Sequence, residues 1–399
     1  MINTMLPPWP SFTSEEARAV ADVISSNRVN YWTGDECRKF EGEFAHWAGS
    51  AKAIALANGT VALDLALKAL NIGPGDEVIV TPRTFIASIS CVVTAGATPI
   101  FADVDPDSGN ISPATVAPCI TSRTKAIIPV HLAGWPCDID GMMALAAPLD
   151  IKVIEDCAQA HGARIGTRSV GTIGHIGAWS FCQDKIMTTG GEGGMVTTDN
   201  EELWSSMWSY KDHGKSWDAV YNRQHPQGYR WLHESFGTNW RMLEVQATIG
   251  RIQLTKMAEW TARRTYIAER LIAILQEFPG AVRVPKPGPS MKHAYYRLYA
   301  YVRPEGLKPD WSRDRIIAEC AELNTPVFQG SCSEVYLEKA FDGTGLRPAN
   351  RLPTAQLLGE TSMMFLTHPT ITDNDIDRMC HAVRQVLQTA SATNSAVLI

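Results

Sequence analysis

Three short segments carry side chains that could act together on one ligand, and the first is ALANGTVALDL at positions 55–65. Here an apolar strand leads through Asn58–Thr60 into a helix. Gly59 allows a ligand to approach the backbone, the free amides at a helix start bind anions, and Thr60 adds a hydroxyl. Taken alone, however, the segment is more typical of a plain turn with a helix cap.

The second segment is VIEDCAQAHG, at positions 153–162. Asp156 ends an apolar, strand-like run, and α/β proteins bind ligands at the carboxyl ends of such strands. The carboxylate could pair with a cationic ring nitrogen, or it could simply cap the next helix. Glu155 should point to the opposite face because side chains alternate along a strand. Gln159 and His161 follow at distances that could return to the mouth where Asp156 lies.

The third segment, WSFCQDKIMTTGGEGGMV at positions 179–196, contains Lys185. This lysine could be a reactive amine, a phosphate clamp or a cation at a helix end. An amine is nucleophilic only when neutral, and burial lowers the pKa of a lysine toward that state. Ser180 could donate a hydrogen bond to a phosphate, and the glycines at 190, 191, 193 and 194 allow the backbone to pass close to a ligand or another chain.

Together the three segments supply an anion cup, an acid for a pyridinium nitrogen and an amine that can capture an aldehyde. A lone lysine in this setting is more often structural, but these three parts fit one chemistry. The combination predicts a pyridoxal 5′-phosphate (PLP) site.

The elements that must position these residues alternate along the chain. Up to about residue 200, short apolar strands are separated by helical stretches, which predicts an α/β fold with a mostly parallel sheet buried on both faces. We expect a large domain over residues 1–255 and a smaller α+β domain over residues 256–399. The aromatic segment 208–240 is too long for a plain linker and favours a functional loop.

Composition and charge argue against several classes of protein, including nucleic-acid-binding and membrane-spanning proteins. The chain has 399 residues, 20% of them charged, with a net charge of -6, which argues against nucleic-acid and polybasic membrane surfaces. No signal peptide is evident at the start and no apolar stretch is long enough to span a membrane, so we expect a cytoplasmic protein. The nine cysteines include no C-x-x-C pair, so we expect reduced thiols and no metal site.

Seven segments in chain order resemble the sugar aminotransferases of the DegT/DnrJ/EryC1/StrS family, which are fold-type-I PLP enzymes. These segments are NGTVALDLAL, GDEVIVTPRTFIAS, PIFADVD, AIIPVHLAG, VIEDCAQAHGA, WSFCQDKIMTTGGEGG and GTNWRMLEVQATIG. The resemblance runs from about residue 13 to about residue 260 and continues more weakly to the C-terminus. One departure is that TTGGEGG carries one more glycine than the commoner TTGEGG.

The resemblance implies a role for each matching residue. Lys185 would bind the cofactor covalently and carry a proton to and from the substrate carbon, while Asp156 would keep the pyridine nitrogen protonated. Phe85 would stack on the cofactor ring, and Gln159 would lie near its phenolic oxygen. The phosphate would be held by Gly59, Thr60 and Ser180 of one subunit and by Asn239 of a second, which implies a homodimer with a shared active site.

The resemblance also implies that an amino acid, usually L-glutamate, converts the cofactor to pyridoxamine phosphate (PMP), which then gives the amino group to a keto sugar on a nucleoside diphosphate. Such amino sugars serve the synthesis of the O-antigen of lipopolysaccharide, capsules and related glycans. Dehydratases, cyclitol aminotransferases and non-catalytic regulatory homologues share the scaffold, so these alternatives stay open. The nucleotide-sugar site could use aromatic and cationic residues that could equally form a packed dimer surface: Tyr31, Trp32, His213, Lys215, Tyr229, Arg230 and His233. The segment 327–336 could border the same cleft.

Overall fold

The structure is a computed structural model that describes residues 6–392. Residues 1–5 and 393–399 lie outside the described part. The predictions made for the start of the chain and for the outer ends of both domains therefore include residues that are not described. Within this range the α-helices are α1 Ser14–Ser25, α2 Glu36–Ala48, α3 Gly59–Ala69, α4 Ala87–Thr94, α5 Pro113–Val116, α6 Ile139–Ala146, α7 Glu201–Lys211, α8 Trp217–Tyr221, α9 Glu244–Leu275, α10 Arg313–Glu322, α11 Pro353–Thr361 and α12 Asp373–Ala390.

The strands in the same range form three sheets. They are β1 Lys52–Leu56, β2 Glu77–Val80, β3 Thr98–Phe101, β4 Thr124–Ile128, β5 Lys152–Asp156, β6 Arg164–Ile165, β7 Arg168–Ser169, β8 Ile176–Ser180, β9 Gly194–Thr198, β10 Val282–Arg283, β11 Met291–Lys292, β12 Arg297–Val302, β13 Val327–Phe328 and β14 Ser362–Leu366. The largest sheet has seven strands in the order β1-β9-β8-β5-β4-β2-β3. In it, β9 is antiparallel to both neighbours and the other strands run parallel. The predicted α/β class is confirmed.

The seven-stranded sheet is buried on both faces, as its short apolar strands predicted. Along β2, Val78 and Val80 belong to the core cluster that contains α3 and α4, whereas Ile79 belongs to the cluster that contains α6. The same alternation separates Ile154 from Val153 on β5. Because parallel strands share one direction, their carboxyl ends meet at one edge of the sheet, and that edge carries the site described below.

Two element boundaries differ from those that the sequence predicts, a strand over 98–104 and a helix from about 84. A strand was expected over 98–104, but β3 ends at Phe101. The carboxylate of Asp103 then accepts hydrogen bonds from the amides of Thr354 and Ala355, both 2.9 Å, and so caps the start of α11. A helix was expected from about 84, but α4 begins at Ala87, because residues 81–86 form the turn that carries Phe85 to the sheet edge.

A second core lies around the four-stranded sheet, whose strand order is β10-β12-β14-β13. The predicted domain boundary at 255/256 falls inside α9. Leu254 and Met257 of this helix pack in the first core, whereas Ile267–Leu275 contributes to the second. The helical spacing of apolar residues in segment 371–387 predicts an amphipathic helix, and the apolar face of α12 is buried accordingly. Across residues 6–392, no helix has the length and apolar character needed to cross a membrane.

Candidate active site

The carboxyl edge of the large sheet and the start of β12 enclose a cavity of about 750 Å³. Each of the three segments singled out in the sequence contributes to its wall through Gly59, Asp156 and Lys185. Tyr296, Arg297 and Tyr299, at the start of β12, form another part of the wall. Gly330 and Ser331 also line the cavity, so part of segment 327–336 borders it as expected. These residues all line the cavity: Asn58, Gly59, Thr60, Phe85, Asp156, Gln159, Ser180 and Lys185.

The start of α3 forms the anion cup. Asn58 is the N-cap, and its side chain accepts a hydrogen bond from the amide of Val61 at 3.0 Å. The amides of Gly59 and Thr60 precede the first intrahelical bonds, so they have no acceptor within the helix and face the cavity. Ser180, the last residue of β8, packs directly against Gly59. The two residues are so close that a Cβ on Gly59 would be only 2.5 Å from the Ser180 Cβ. Amides and hydroxyls therefore converge where an anion can bind.

Asp156 ends β5 and is held in place by two hydrogen bonds. The Ser88 hydroxyl donates to its Oδ2 at 2.7 Å, and the amide of Ala158 donates to its Oδ1 at 3.1 Å. Ser88 lies in turn 3.0 Å from the Thr84 hydroxyl. Asp156 is 5% exposed and lines the cavity, so its carboxylate can pair with a cationic group there.

Glu155 faces the other side of the sheet, as strand alternation predicted. Its carboxylate accepts hydrogen bonds from the amides of Gly171, Ile173 and Gly174 at 2.6–2.9 Å and lies 3.0 Å from His131 Nε2. His131, Glu155 and Cys157 bring possible ligand atoms within 4.8 Å of one another, but these hydrogen bonds already use both Glu155 oxygens. The cluster therefore ties the back of the sheet together.

Lys185 follows β8 and reaches into the cavity with 17% of its side chain exposed. The indole of Trp9 donates a hydrogen bond to its carbonyl oxygen at 2.9 Å, which fixes the backbone. Burial lowers the pKa of Lys185, but the nearby oxygens of Tyr296 and Asp184 raise it by more, so the net pKa lies above its usual value. The prediction of a lowered pKa is therefore wrong, because it considered burial alone and left out these two neighbours.

The glycines after Lys185 are required by packing within this chain. Gly190 and Gly191, the pair that includes the additional glycine, have φ angles of 88° and 121°, which favour glycine. A Cβ on Gly193 would lie 2.0 Å from Thr189 Oγ1, and one on Gly194 would lie 2.3 Å from the carbonyl oxygen of Asn58. The glycines thus bring the strand after Lys185 against the anion cup.

Of the remaining predicted residues near the cofactor, two line the cavity and one does not. Phe85 is 67% exposed within one chain, and Gln159 is oriented by a hydrogen bond from the amide of Ala133 at 2.7 Å. His161 is fully buried between Trp179 and Phe181, so it does not return to the mouth as expected. Burial, with the charges of Lys185 and Arg264, lowers its pKa to about 3, so it is a neutral core residue.

None of the predicted nucleotide-sugar residues lines this cavity within one chain. Tyr31 is fully buried, with Lys211 Nζ 3.7 Å from its ring centroid and its hydroxyl 3.1 Å from Glu41, so the structure does not support its stacking on a base. Trp32 packs under Lys215, whose Nζ lies 4.4 Å from the indole centroid. The other four candidates are exposed on the segment after α7: His213, Tyr229, Arg230 and His233. Asn239, the residue expected to reach a partner's phosphate, is exposed on the same segment.

Several side chains at the site escaped the sequence reasoning. Ser88, which orients Asp156, lies 68 residues before it in the chain, and no local pattern predicts that contact. Asp184 is adjacent to Lys185 and could have been noticed for that reason alone. Tyr296 and Arg297 come from a strand more than 100 residues later, and no local pattern connects them to Lys185.

The residues present fit PLP. The cup formed by Gly59, Thr60 and Ser180 offers donors but no carboxylate, as a phosphate requires, while Asp156 offers a fixed anion for a protonated ring nitrogen. Lys185 offers an amine in the same cavity, which could bond to the aldehyde carbon. The sequence profile of the DegT/DnrJ/EryC1/StrS aminotransferase family matches residues 10–384.

The chain belongs to the DegT/DnrJ/EryC1/StrS aminotransferase family.

Relatives of this aminotransferase include both solved structures and curated proteins. An aminotransferase from Psychrobacter cryohalolentis, solved by X-ray crystallography, is 62% identical with a TM-score of 0.95, and the match covers 96% of this chain and 99% of that one. Streptomyces venezuelae DesV, solved with a ketimine intermediate, is 31% identical with a TM-score of 0.83 and coverages of 94% and 95%. GDP-perosamine synthase from Caulobacter vibrioides is 36% identical over 353 residues, 88% of this chain and 89% of that protein.

The aminotransferase therefore has the fold-type-I architecture and uses PLP, as the resemblance implied. When bound, PLP supplies an electron sink that stabilises negative charge on the substrate carbon. The assignment of individual residues to cofactor binding in this family member is a proposal that rests on the geometry above.

Gly59→Ala should weaken PLP binding by about tenfold or more, because the added Cβ overlaps Ser180 and must displace either the cup or β8. Titration of the apoenzyme with PLP, followed by absorbance, gives the Kd. Gly42→Ala is the matched control, since a Cβ on this helical glycine meets nothing within 4 Å. Equal PLP affinity in the two variants would show that the cup does not bind the phosphate.

Proposed function

We propose that this enzyme moves the amino group of L-glutamate to a keto sugar carried on a nucleoside diphosphate. The observation that carries the proposal is the convergence of Lys185, Asp156 and the anion cup on one cavity of about 750 Å³, which has space for a substrate beside the cofactor. The similarity to a GDP-perosamine synthase supports a nucleotide-linked acceptor.

In this proposal each side chain has a defined task. Lys185 holds the cofactor and later carries a proton at the substrate carbon, for which its amine is aimed into the cavity. Asp156, fixed by Ser88, keeps the ring nitrogen protonated. Gly59, Thr60 and Ser180 hold the phosphate, Gln159 lies near the ring's phenolic oxygen, and Phe85 covers the ring and excludes water.

We propose that the active unit is a homodimer with shared active sites. Asn239 lies at the end of a segment whose aromatic side chains are unusually exposed in one chain: Trp231 is 81% and Phe236 99% exposed. Exposed aromatic residues on one segment suit an interface between two copies. Asn239 would then reach the partner's phosphate site, and His213, Lys215, Tyr229, Arg230 and His233 would contribute to the nucleotide-sugar site across the interface.

We place the reaction in the synthesis of amino sugars for surface glycans such as the O antigen of lipopolysaccharide or a capsule, and in the cytoplasm. All nine cysteines are unpaired in the structure, which supports a reducing compartment.

The test is a panel of keto nucleotide-sugars with UDP, GDP or dTDP, alongside a keto-cyclitol, each with L-glutamate, L-glutamine or L-alanine. We expect mass spectrometry to detect an aminated nucleotide-sugar and an enzymatic assay to detect 2-oxoglutarate. A product that loses oxygen without gaining nitrogen would identify a dehydratase, and amination of the cyclitol alone would identify a cyclitol aminotransferase. A PLP spectrum unchanged by every donor would identify a non-catalytic homologue.

A further inference from the structure

The cavity contains one cation besides Lys185 among the described residues that line it. Five lining residues are charged: Asp156, Asp184, Lys185, Glu192 and Arg297. An amino-acid donor brings at least one carboxylate into this cavity, and burying a carboxylate without a cationic partner is costly. Arg297 is therefore the candidate partner in this chain.

The side chain of Arg297 is held at the cavity wall yet keeps unused donors. It is 10% exposed, its Nη1 donates to the carbonyl oxygen of Tyr296 at 2.9 Å, and its guanidinium carbon lies 4.1 Å from the Tyr296 ring centroid. Its Nη2 is 3.5 Å from the Tyr296 hydroxyl and 3.7 Å from Asp184 Oδ2. Both distances exceed the usual 2.7–2.9 Å or so of a charge-assisted hydrogen bond, so Nη2 is only loosely paired.

Asp184 places Arg297 close to the reacting amine. One carboxylate oxygen lies 3.7 Å from Arg297 Nη2, and the other lies 3.9 Å from Lys185 Nζ. The Tyr296 hydroxyl donates to Asp184 at 2.5 Å, so the carboxylate is anchored between the two cations. A group bound by Arg297 is thus within a few bonds of a carbon that reacts at Lys185.

Among the described residues, Asp184 is the one carboxylate within 4 Å of Arg297, whereas the other two carboxylates that line the cavity, Asp156 and Glu192, form no ion pair with it. Lys185 and Arg297 share the single carboxylate of Asp184. Behind them lies Arg264, which is fully buried and whose guanidinium nitrogens have no hydrogen-bond partner among the described residues. Burial, together with the charge of Arg297, lowers the pKa of Arg264 to about 9. An incoming carboxylate would give Arg297 Nη2 the close anionic partner that Asp184, at 3.7 Å, does not provide.

We propose that Arg297, positioned by Tyr296 and Asp184, binds the α-carboxylate of the amino-acid donor. This inference rests on the proposed amino-acid half-reaction. The α-carboxylate is one bond from the carbon that carries the amine, so it matches the proximity of Arg297 to Lys185 better than a side-chain carboxylate does. The diphosphate of a nucleotide-sugar is separated from its keto carbon by the sugar ring and fits this position less well.

The experiment follows the first half-reaction of the PLP-loaded enzyme in single turnover, with L-glutamate or 4-aminobutyrate, which lacks an α-carboxylate. In Arg297→Gln, the rate constant divided by the half-saturating concentration should fall about 100-fold for L-glutamate and stay within about 3-fold for 4-aminobutyrate. Arg297→Lys should lose about 10-fold with L-glutamate, since it keeps the charge without the two-pronged geometry. Calorimetry with L-2-hydroxyglutarate, which keeps both carboxylates but has no amine to react, should show a matching rise in Kd.

Arg315→Gln, which changes an exposed arginine paired with Asp310, is the control and should match the wild type. Equal losses for both donors, an unchanged Kd for L-2-hydroxyglutarate, or an effect only on the sugar acceptor would each overturn the proposal. If Arg297→Gln does not fold or retain PLP, the Lys variant decides through the same donor comparison. The half-reaction needs no sugar, so failure to find a nucleotide-sugar acceptor would contradict the proposed function and leave this inference standing.

Discussion

Lys185→Ala should reduce the turnover number by more than about 10⁴-fold, because the variant loses both the covalent hold on PLP and the group that moves the proton. The PLP-loaded wild type should show a visible absorption band that disappears in the variant. Steady-state turnover with L-glutamate and the absorption spectrum of the loaded protein measure the two effects separately.

Lys39→Ala, which changes an exposed lysine on α2, is the control and should leave both the absorption spectrum and the turnover number unchanged.

Mixing two inactive variants tests whether the active site is shared between the subunits of the proposed homodimer. Random pairing of Lys185→Ala with Asn239→Ala subunits should restore about a quarter of the wild-type sites, since each mixed dimer contains one intact site. Full activity of Lys185→Ala alone would contradict the assignment of the amine, and the absence of any gain on mixing would contradict a shared site.

Asp156→Asn is expected to lower the rate of the first half-reaction by about 10³-fold while PLP still binds. The amide keeps the size of the carboxylate, and its oxygen can still accept from the Ala158 amide while its NH2 group donates to the Ser88 hydroxyl, which reverses that bond. It no longer favours a protonated ring nitrogen. Stopped-flow absorbance with saturating L-glutamate measures the rate.

The matched control is Asp150→Asn, which removes an exposed carboxylate just before β5 that pairs with Lys152. It should react like the wild type. A rate for Asp156→Asn within about threefold of this control would mean that Asp156 serves only as a structural cap, the alternative that the sequence left open.

Much of the fold could be predicted because its signals are local. Thr13 and Glu16 make the capping box expected from their spacing, and Asn58 caps α3 as expected. The strands of the large sheet were recognisable because burial on both faces requires short, continuous apolar runs. The predicted end of β3 was wrong because a distant segment is involved: β3 ends at Phe101, and the Asp103 carboxylate caps the start of α11.

The site was predictable to the same extent. The alternation of Glu155 and Asp156 along one strand follows from backbone geometry alone, and the parallel strands bring Asp156, Ser180 and the anion cup to one edge. His161 and Tyr31 were misplaced because their burial depends on Trp179 and Lys211, which are not their neighbours in sequence.

Local periodicity, capping residues and glycine positions thus specify the elements and the three segments of the cofactor site, because each depends on neighbours within a few residues. The charge state of Lys185 and the position of Arg297 were decided by tertiary packing. They depend on the second core bringing Tyr296 and Arg297 against Asp184, more than 100 residues away, and electrostatic effects act through space rather than along the chain.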